Sequence, residues 1–370
     1  MAASLATTKR ASAPPPLVPR EVVVPVRAED VAGVFSLAAS RRELFPAFES
    51  RTGQVEMGQA VAEHLRHGGH LTVEAGTGTG KSMAYLVPAM IHAVRNDDRV
   101  VVSTHTLNLQ DQLSQRDAPQ SAALVEAYLR EQGESGGVEV AVLKGRGNYL
   151  CLERWAEVRR DPSPRTEAEV RLFSRVAAWL PQTETGDLAE LYMTSQERPA
   201  WSQIAAEDTD CLQRRCAYVR DGSCFLLRAR QQAAASHVVI VNHSLLLANA
   251  AQDDQVLPPF RHLVLDEAHR LEEVATQHFT ATLGVKELRD RVDAAGLQDR
   301  QGQPGFAARL QGTGGAPELA ALSPVAGLAP LAKSLDIAVT ATRDHVRELG
   351  EALRLFIEEA LEDGASRRDI

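Results

Sequence analysis

Ala75-Gly76-Thr77-Gly78-Thr79-Gly80-Lys81-Ser82 lies between a short apolar stretch, His70 to Glu74, and a helical pattern from Met83 to Val94. A strand, a glycine-rich turn and a helix, in that order, form the context a phosphate-binding loop needs. Glycines let successive N–H groups curl around an anion, and the helix start adds unpaired N–H groups and a positive dipole end. In such a loop Lys81 would reach the β- and γ-phosphates of ATP, and the Ser82 hydroxyl would hold Mg²⁺. Ala75 stands where the strict G-x-x-x-x-G-K-S pattern has its first glycine. The alternative, a flexible loop with a chance Gly-Lys-Ser, explains neither flank. The fold expected is α/β, with a parallel sheet carrying a nucleoside triphosphate.

Upstream, Arg51, Gln54 and Met57 open a helix running to about Arg66, with Val55, Ala60, Val61 and Leu65 on its apolar face. The side-chain amide of Gln54 both donates and accepts, which suits the edge of an adenine. A solvent-facing turn glutamine is the plainer reading; Arg51 and Met57 in step favour nucleotide recognition. Met1 to Arg20, with Pro14-Pro15-Pro16 and no apolar core, reads as a disordered tail and not a secretory signal. The 370 residues are 44% apolar, ordinary for a globular protein, with no uninterrupted apolar run long enough to span a membrane. A net charge of −9 argues against a wholly basic nucleic-acid binder and says nothing about a local basic groove. A cytoplasmic protein is expected.

Downstream, Arg99 to Ser103 reads as a buried parallel strand, ending in Thr104-His105-Thr106-Leu107-Asn108. Small polar groups such as Thr104, His105 and Asn108 at a strand's carboxyl end suit a nucleic-acid backbone, although helix capping accounts for them equally. Val138 to Leu143 and His237 to Val241 are further strands. Arg261 to Leu265 is another, ending in Asp266-Glu267-Ala268-His269. Two adjacent acids delivered by a core strand are the partners a phosphate loop requires. Asp266 would hold Mg²⁺, Glu267 would deprotonate the attacking water, and His269 would link the nucleotide to bound nucleic acid.

All four cysteines fall between these landmarks: Cys151, then Cys211, Cys216 and Cys224 in a C-x4-C-x7-C spacing. Zinc ribbons favour C-x-x-C knuckles, which are lacking here. Wide uneven spacing fits iron–sulfur ligation better, and four unliganded buried thiols is the bland alternative. Arg214, Arg215, Arg220, Arg228 and Arg230 surround them against a single Asp221, a basic patch suited to a single strand of nucleic acid. Leu331 to Leu361 reads as a long amphipathic helix with Leu335, Val339, Val346, Leu349, Leu353, Phe356 and Ile357 near one stripe.

Taken together these motifs resemble the iron–sulfur superfamily 2 DNA helicases of the DinG and XPD type, most closely the bacterial DinG branch, from about Phe45 to Val274. The specific part is Lys144-Gly145-Arg146-Gly147-Asn148-Tyr149-Leu150-Cys151 with three later cysteines, all between the phosphate loop and Asp266-Glu267-Ala268-His269. The resemblance implies a RecA-like domain (21–145 and 231–275) interrupted by a helical iron–sulfur insertion (146–230) and followed by a partial helical arch (276–370). It implies that Cys151, Cys211, Cys216 and Cys224 hold a 4Fe-4S cluster. It also implies that ATP and Mg²⁺ drive 5′-to-3′ unwinding of forked DNA in repair or replication. The family's second RecA-like half supplies an arginine to the transition state, and no Gln-x-x-Gly-Arg motif occurs in these 370 residues. Slow hydrolysis by this chain alone is therefore expected, with a second chain as one way to complete the site. A catalytically incomplete nucleic-acid-binding or redox-sensing module is the competing expectation.

Overall fold

The computed structural model describes residues 14–41, 48–49, 51–76, 78–162, 165–207, 211, 213–251, 256–280 and 328–362, with isolated positions between 288 and 307. The chain divides into two compact units, Met1–Phe279 and Thr280–Ile370. In the first, α1 (Ala28–Ser40), α2 (Thr52–His67) and α3 (Lys81–Asn96) precede strand β1 (Val100–Thr104). Helix α4 (Leu107–Gln112) runs through a π-helical turn, Leu113–Asp117, into α5 (Ala118–Glu131), and β2 (Val140–Val142) follows. Next come α6 (Leu152–Arg160), α7 (Glu167–Trp179), α8 (Arg198–Ser202), α9 (Ala217–Arg220) and α10 (Phe225–Ala234). Strand β3 (Val238–Asn242), α11 (His243–Ala251), β4 (His262–Leu265) and α12 (Leu271–Phe279) complete the unit.

The four strands form one sheet in the order β2-β3-β1-β4, and every pairing is parallel. Val102 lies opposite Ile240 on one side and Val264 on the other. Runs of valine and isoleucine suit such strands because both faces are covered. Val102, Val238 and Ile240 pack with α1, α2, α3 and α5, whereas Val101, Val239 and Val241 pack with Ala233, Leu245 and Leu257. The result is a three-layer α/β domain with ligand-bearing loops at the carboxyl ends of its strands.

Three expectations need correction. His70 to Glu74 takes no regular secondary structure and joins no ladder among the described residues, and Leu71 and Val73 remain 42% and 40% exposed. Its composition specifies an extended backbone, but a strand needs a hydrogen-bonded neighbour, and among the described residues none is supplied. Residues 14–20, read as tail, lie against the domain: Leu17 N–H donates to Ala234 O and Arg20 N–H to Asn96 O, both at 2.9 Å. In the second unit α13 (Leu328–Glu362) forms, but its apolar stripe is only partly covered. Val339 and Val346 are buried, whereas Leu349, Leu353 and Phe356 are exposed. A periodic stripe defines a face; burial needs a second surface.

Candidate active site

The phosphate loop has the backbone its glycines allow. Gly78 and Gly80 sit at φ values of +81° and +80°, left-handed geometry that disfavours any side chain. At Gly80 a Cβ would also come within 2.1 Å of the Gln54 side-chain nitrogen. That nitrogen donates to Gly80 O at 2.9 Å, and Gln54 is buried. Gln54 therefore braces the loop directly. Thr79 Oγ1 donates to Gly76 O at 2.9 Å, tightening the turn. Ala75 is half-buried and Gly76 exposed, while Thr77 lies outside the described residues. Helix α3 begins at Lys81, so its unpaired N–H groups start where the loop ends.

Across the cleft, β4 delivers the two acids. Asp266 N–H donates to Ser103 O at 2.8 Å, prolonging the β4–β1 ladder by one bond. Glu267 then turns at φ +56°, a strained conformation of a kind that clusters at functional sites. Lys81 Nζ lies 3.3 Å from Glu267 Oε1 although 186 residues separate them, and each side chain is about one-third exposed. His269 Nδ1 lies 3.6 Å from Glu267 Oε2 on a largely exposed side chain.

Tyr85, one turn along α3 from Lys81, was not singled out by the sequence. Its hydroxyl donates to Asp266 Oδ2 at 3.4 Å and is in hydrogen-bonding reach of Ser82. Burial and then the Asp266 charge hold this phenol well above its ordinary pKa, so it stays a donor. Burial, followed by repulsion from Glu267, raises the Asp266 carboxyl against the pull of Lys81. A serine hydroxyl and a half-buried, incompletely compensated carboxylate form an oxygen donor set suited to Mg²⁺.

The cleft is lined by Arg51, the loop, and Gln112, Arg116 and Asp117 from the π-helical turn. Phe48, Gln54, Met83 and Gln120 line its continuation. Arg51 also meets Glu49 at 3.0 Å. π-Helical turns occur often at functional sites. No local pattern in 107–131 announces this one.

The nucleic-acid candidates are dispersed. Thr104 is fully buried with its Oγ1 unpartnered, so the surface at the end of β1 belongs to half-buried His105 and exposed Asn108. Beneath them Ser103 Oγ meets His243 Nδ1 at 2.8 Å, and the His243 ring lies 6.3 Å from that of His105. Arg215 is exposed on the turn before Cys216.

The cysteines are free thiols: Cys211 exposed, Cys216 buried, Cys151 and Cys224 half-buried. Their electrostatic fields overlap, since Cys151 feels Cys216 and Cys211, and Cys224 feels Cys151 and Cys216. Cys151, Cys216 and Cys224 occupy the N-caps of α6, α9 and α10. Cys151 accepts N–H bonds from Arg154 and Glu153, and Cys224 from Leu227 and Leu226, while burial nevertheless raises both thiols. Helix N-termini and N–H donors aimed at sulfur favour the thiolate form, against the burial that raises these thiols.

A parallel α/β sheet with a phosphate loop opening a helix, and an Asp-Glu pair on the facing strand end, defines a RecA-like P-loop nucleotide-binding domain. The DEAD/DEAH box helicase family model matches residues 56–127. The chain is 42% identical over 255 residues to the ATP-dependent helicase DinG of Mycobacterium tuberculosis, covering 64% of this chain and 37% of that protein. It is 36% identical over 252 residues to the ATP-dependent DNA helicase YoaA of Escherichia coli, covering 66% and 37%. It is 33% identical over 260 residues to the 3′-5′ exonuclease DinG of Bacillus subtilis, covering 70% and 26%. Over about two thirds of its length the chain is similar to helicases of the DinG/YoaA group, with a DEAD/DEAH box match inside that stretch, and it spans little more than a third of the length of the helicases it matches.

Proposed function

We propose that these residues are the nucleotide-binding portion of an ATP-dependent 5′-to-3′ iron–sulfur DNA helicase, a cytoplasmic enzyme of repair or replication acting on single-stranded or forked DNA. The observation that carries this reading is the meeting of Lys81 and Glu267 at 3.3 Å, beside Ser82 and Asp266. Lys81, a third exposed, is free to exchange Glu267 for a phosphate. Release of Lys81 leaves Glu267 to accept a proton from water, and Tyr85 keeps Asp266 and Ser82 aligned. Bound Mg²⁺ would neutralise charge developing on the β- and γ-phosphate oxygens. Gln54, with its nitrogen held by Gly80, keeps Oε1 for the amino group of adenine beside Arg51. His105, Asn108, Arg214 and Arg215 would track the strand. Cys151, Cys211, Cys216 and Cys224 would hold a 4Fe-4S cluster where the strands part.

An arginine finger contributes roughly 10³- to 10⁵-fold in related phosphoryl transfer. The expected outcome is therefore Mg-ATP and single-strand binding with slow turnover, both binding and turnover falling in Lys81→Ala. Absence of ATP binding in the wild-type chain would overturn the reading. Anaerobically purified protein should carry about four irons per chain; stoichiometric zinc in the thiols without iron would remove the cluster. Arg214→Ala with Arg215→Ala should weaken single-strand binding and flatten its salt dependence. The alternative, a redox-sensing module, predicts nucleotide affinity that changes with cluster oxidation and no turnover under any DNA condition.

A further inference from the structure

At the opposite end of the sheet from the nucleotide cleft, three side chains from separate elements converge. His92 lies on α3, Asp98 in the turn before β1, and His262 opens β4. His92 and Asp98 are 2% and 4% exposed, and the His262 side chain is 25% exposed. Asp98 is held firmly: its N–H donates to Ala93 O at 3.1 Å, and its Oδ1 accepts from Arg99 N–H at 2.7 Å. The other oxygen, Oδ2, faces His92 Nε2 at 3.8 Å and His262 Nε2 at 3.9 Å. Both distances are too long for hydrogen bonds. His92 Nε2 is buried with no hydrogen-bond partner. Its Nδ1 meets Asn96 Nδ2 only at 3.4 Å, at the long limit of a hydrogen bond and too weak to dictate the tautomer.

Buried polar atoms that could pair with one another usually close to hydrogen-bonding distance. Here the three donor atoms stand around a common point, all within 4.8 Å of one another. Ligands bind zinc at about 2.0–2.2 Å, which puts neighbouring tetrahedral ligands roughly 3.3–3.6 Å apart. Small side-chain rotations bridge the remaining difference. Two imidazoles and one carboxylate suit divalent first-row transition ions, and three protein ligands leave a position open on the exposed side of His262. His262 is held below its ordinary pKa, by burial first and then by His92, with Arg261 and His64 adding to the effect against Asp98.

We propose that His92, Asp98 and His262 bind one divalent transition-metal ion of the zinc class, tying the P-loop helix to edge strand β4. This site is separate from the cysteines and from the Mg²⁺ donors, and it does not depend on the function proposed above. The test is a ZnCl₂ titration of the full chain, previously stripped with chelator, in wild-type, His262→Gln and Asp98→Asn forms. Wild type should bind one zinc more per chain than either variant, and its thermal midpoint should rise with zinc more than theirs. With Co²⁺ as optical probe, the wild-type-minus-variant spectrum should show ligand-field bands without thiolate charge transfer. His262→Gln, at a partly exposed position, should retain the wild-type thermal midpoint in chelator. Equal zinc stoichiometry in all three forms, or a wild-type midpoint no more responsive than the variants', would overturn the site and leave a buried water or a bare charge cluster in its place.

Discussion

The sheet and the segment inserted between β2 and β3 solve the same problem with different means. The sheet buries small β-branched residues in register, and Val100, Val101, Val102, Val239 and Ile240 are each wholly inaccessible. Among its described residues the insertion has two isolated bridges, Tyr149 to Asp187 and Leu150 to Ala205, and no ladder. Its core is built from Tyr149, Trp155, Phe173, Trp201 and Phe225 around Leu172 and Ile204. Trp201 Nε1–H donates to Gly147 O at 2.7 Å, pinning the run that leads to Cys151. Lys144, buried at the junction, joins Asp111 of the α/β domain at 2.9 Å to Asp187 of the insertion at 2.8 Å. Burial opposes its charge, but the two carboxylates outweigh this and raise its pKa. Stability is spread over a ladder in one region and concentrated in a few large side chains in the other.

Trp201→Ala should therefore be the most damaging change, costing about 3–5 kcal/mol through its cavity and the stranded Gly147 carbonyl. Urea unfolding followed by proteolysis should show the insertion released first; simultaneous loss of the sheet would break the comparison. Lys144→Ala leaves two carboxylates facing each other and should cost about 1–3 kcal/mol, because Asp111 and Asp187 keep some contact with water. Its counterpart beneath the sheet is Asp30, which meets Arg95 at 2.8 Å and accepts from Tyr128 at 3.0 Å. Burial pulls the Asp30 carboxyl up, but hydrogen bonds from Arg95, Arg27 N–H and Tyr128 prevail and hold it below its ordinary value. Its contribution is present above the unfolded aspartate pKa of about 3.9 and is lost as pH falls through the folded one. Asp30→Asn should cost about 1–3 kcal/mol at pH 7, with the gap to wild type closing below about pH 4 in urea titrations. An unchanging gap would assign the cost to packing. Ile240→Val, one methylene in a well-supported ladder, should cost only about 0.5–1.5 kcal/mol.

What could be read in advance follows the same division. The phosphate loop, the four strands of the sheet and the Asp-Glu pair were legible because each is a local pattern with a period or a fixed spacing, although β4, read as a core strand, is a part-exposed edge with Leu263 at 43%. Strand boundaries shifted by about one residue: Arg99 to Ser103 became Val100–Thr104, and His237 to Val241 became Val238–Asn242. Gln54 was read from the sequence as a nucleotide-site residue; its place as the brace of Gly80, a contact made 26 positions away, was not legible there. Tyr85, Arg116 and Asp117 carry no motif and reach the cleft through a helical turn and a π-helical insertion.

The sequence by itself determined the main helices and the four strands that pair, where a phosphate can be cradled, and which four thiols fall between β2 and β3. Those features depend on neighbours within a few positions or on residue chemistry alone. Only the tertiary structure decided that His70 to Glu74 stays unpaired, that Lys81 meets Glu267, that Lys144 bridges two regions, and that His92, Asp98 and His262 surround one point. Each of these is a contact between segments far apart in the chain, set by the order in which parallel strands pair, and strand order is not written in any single stretch.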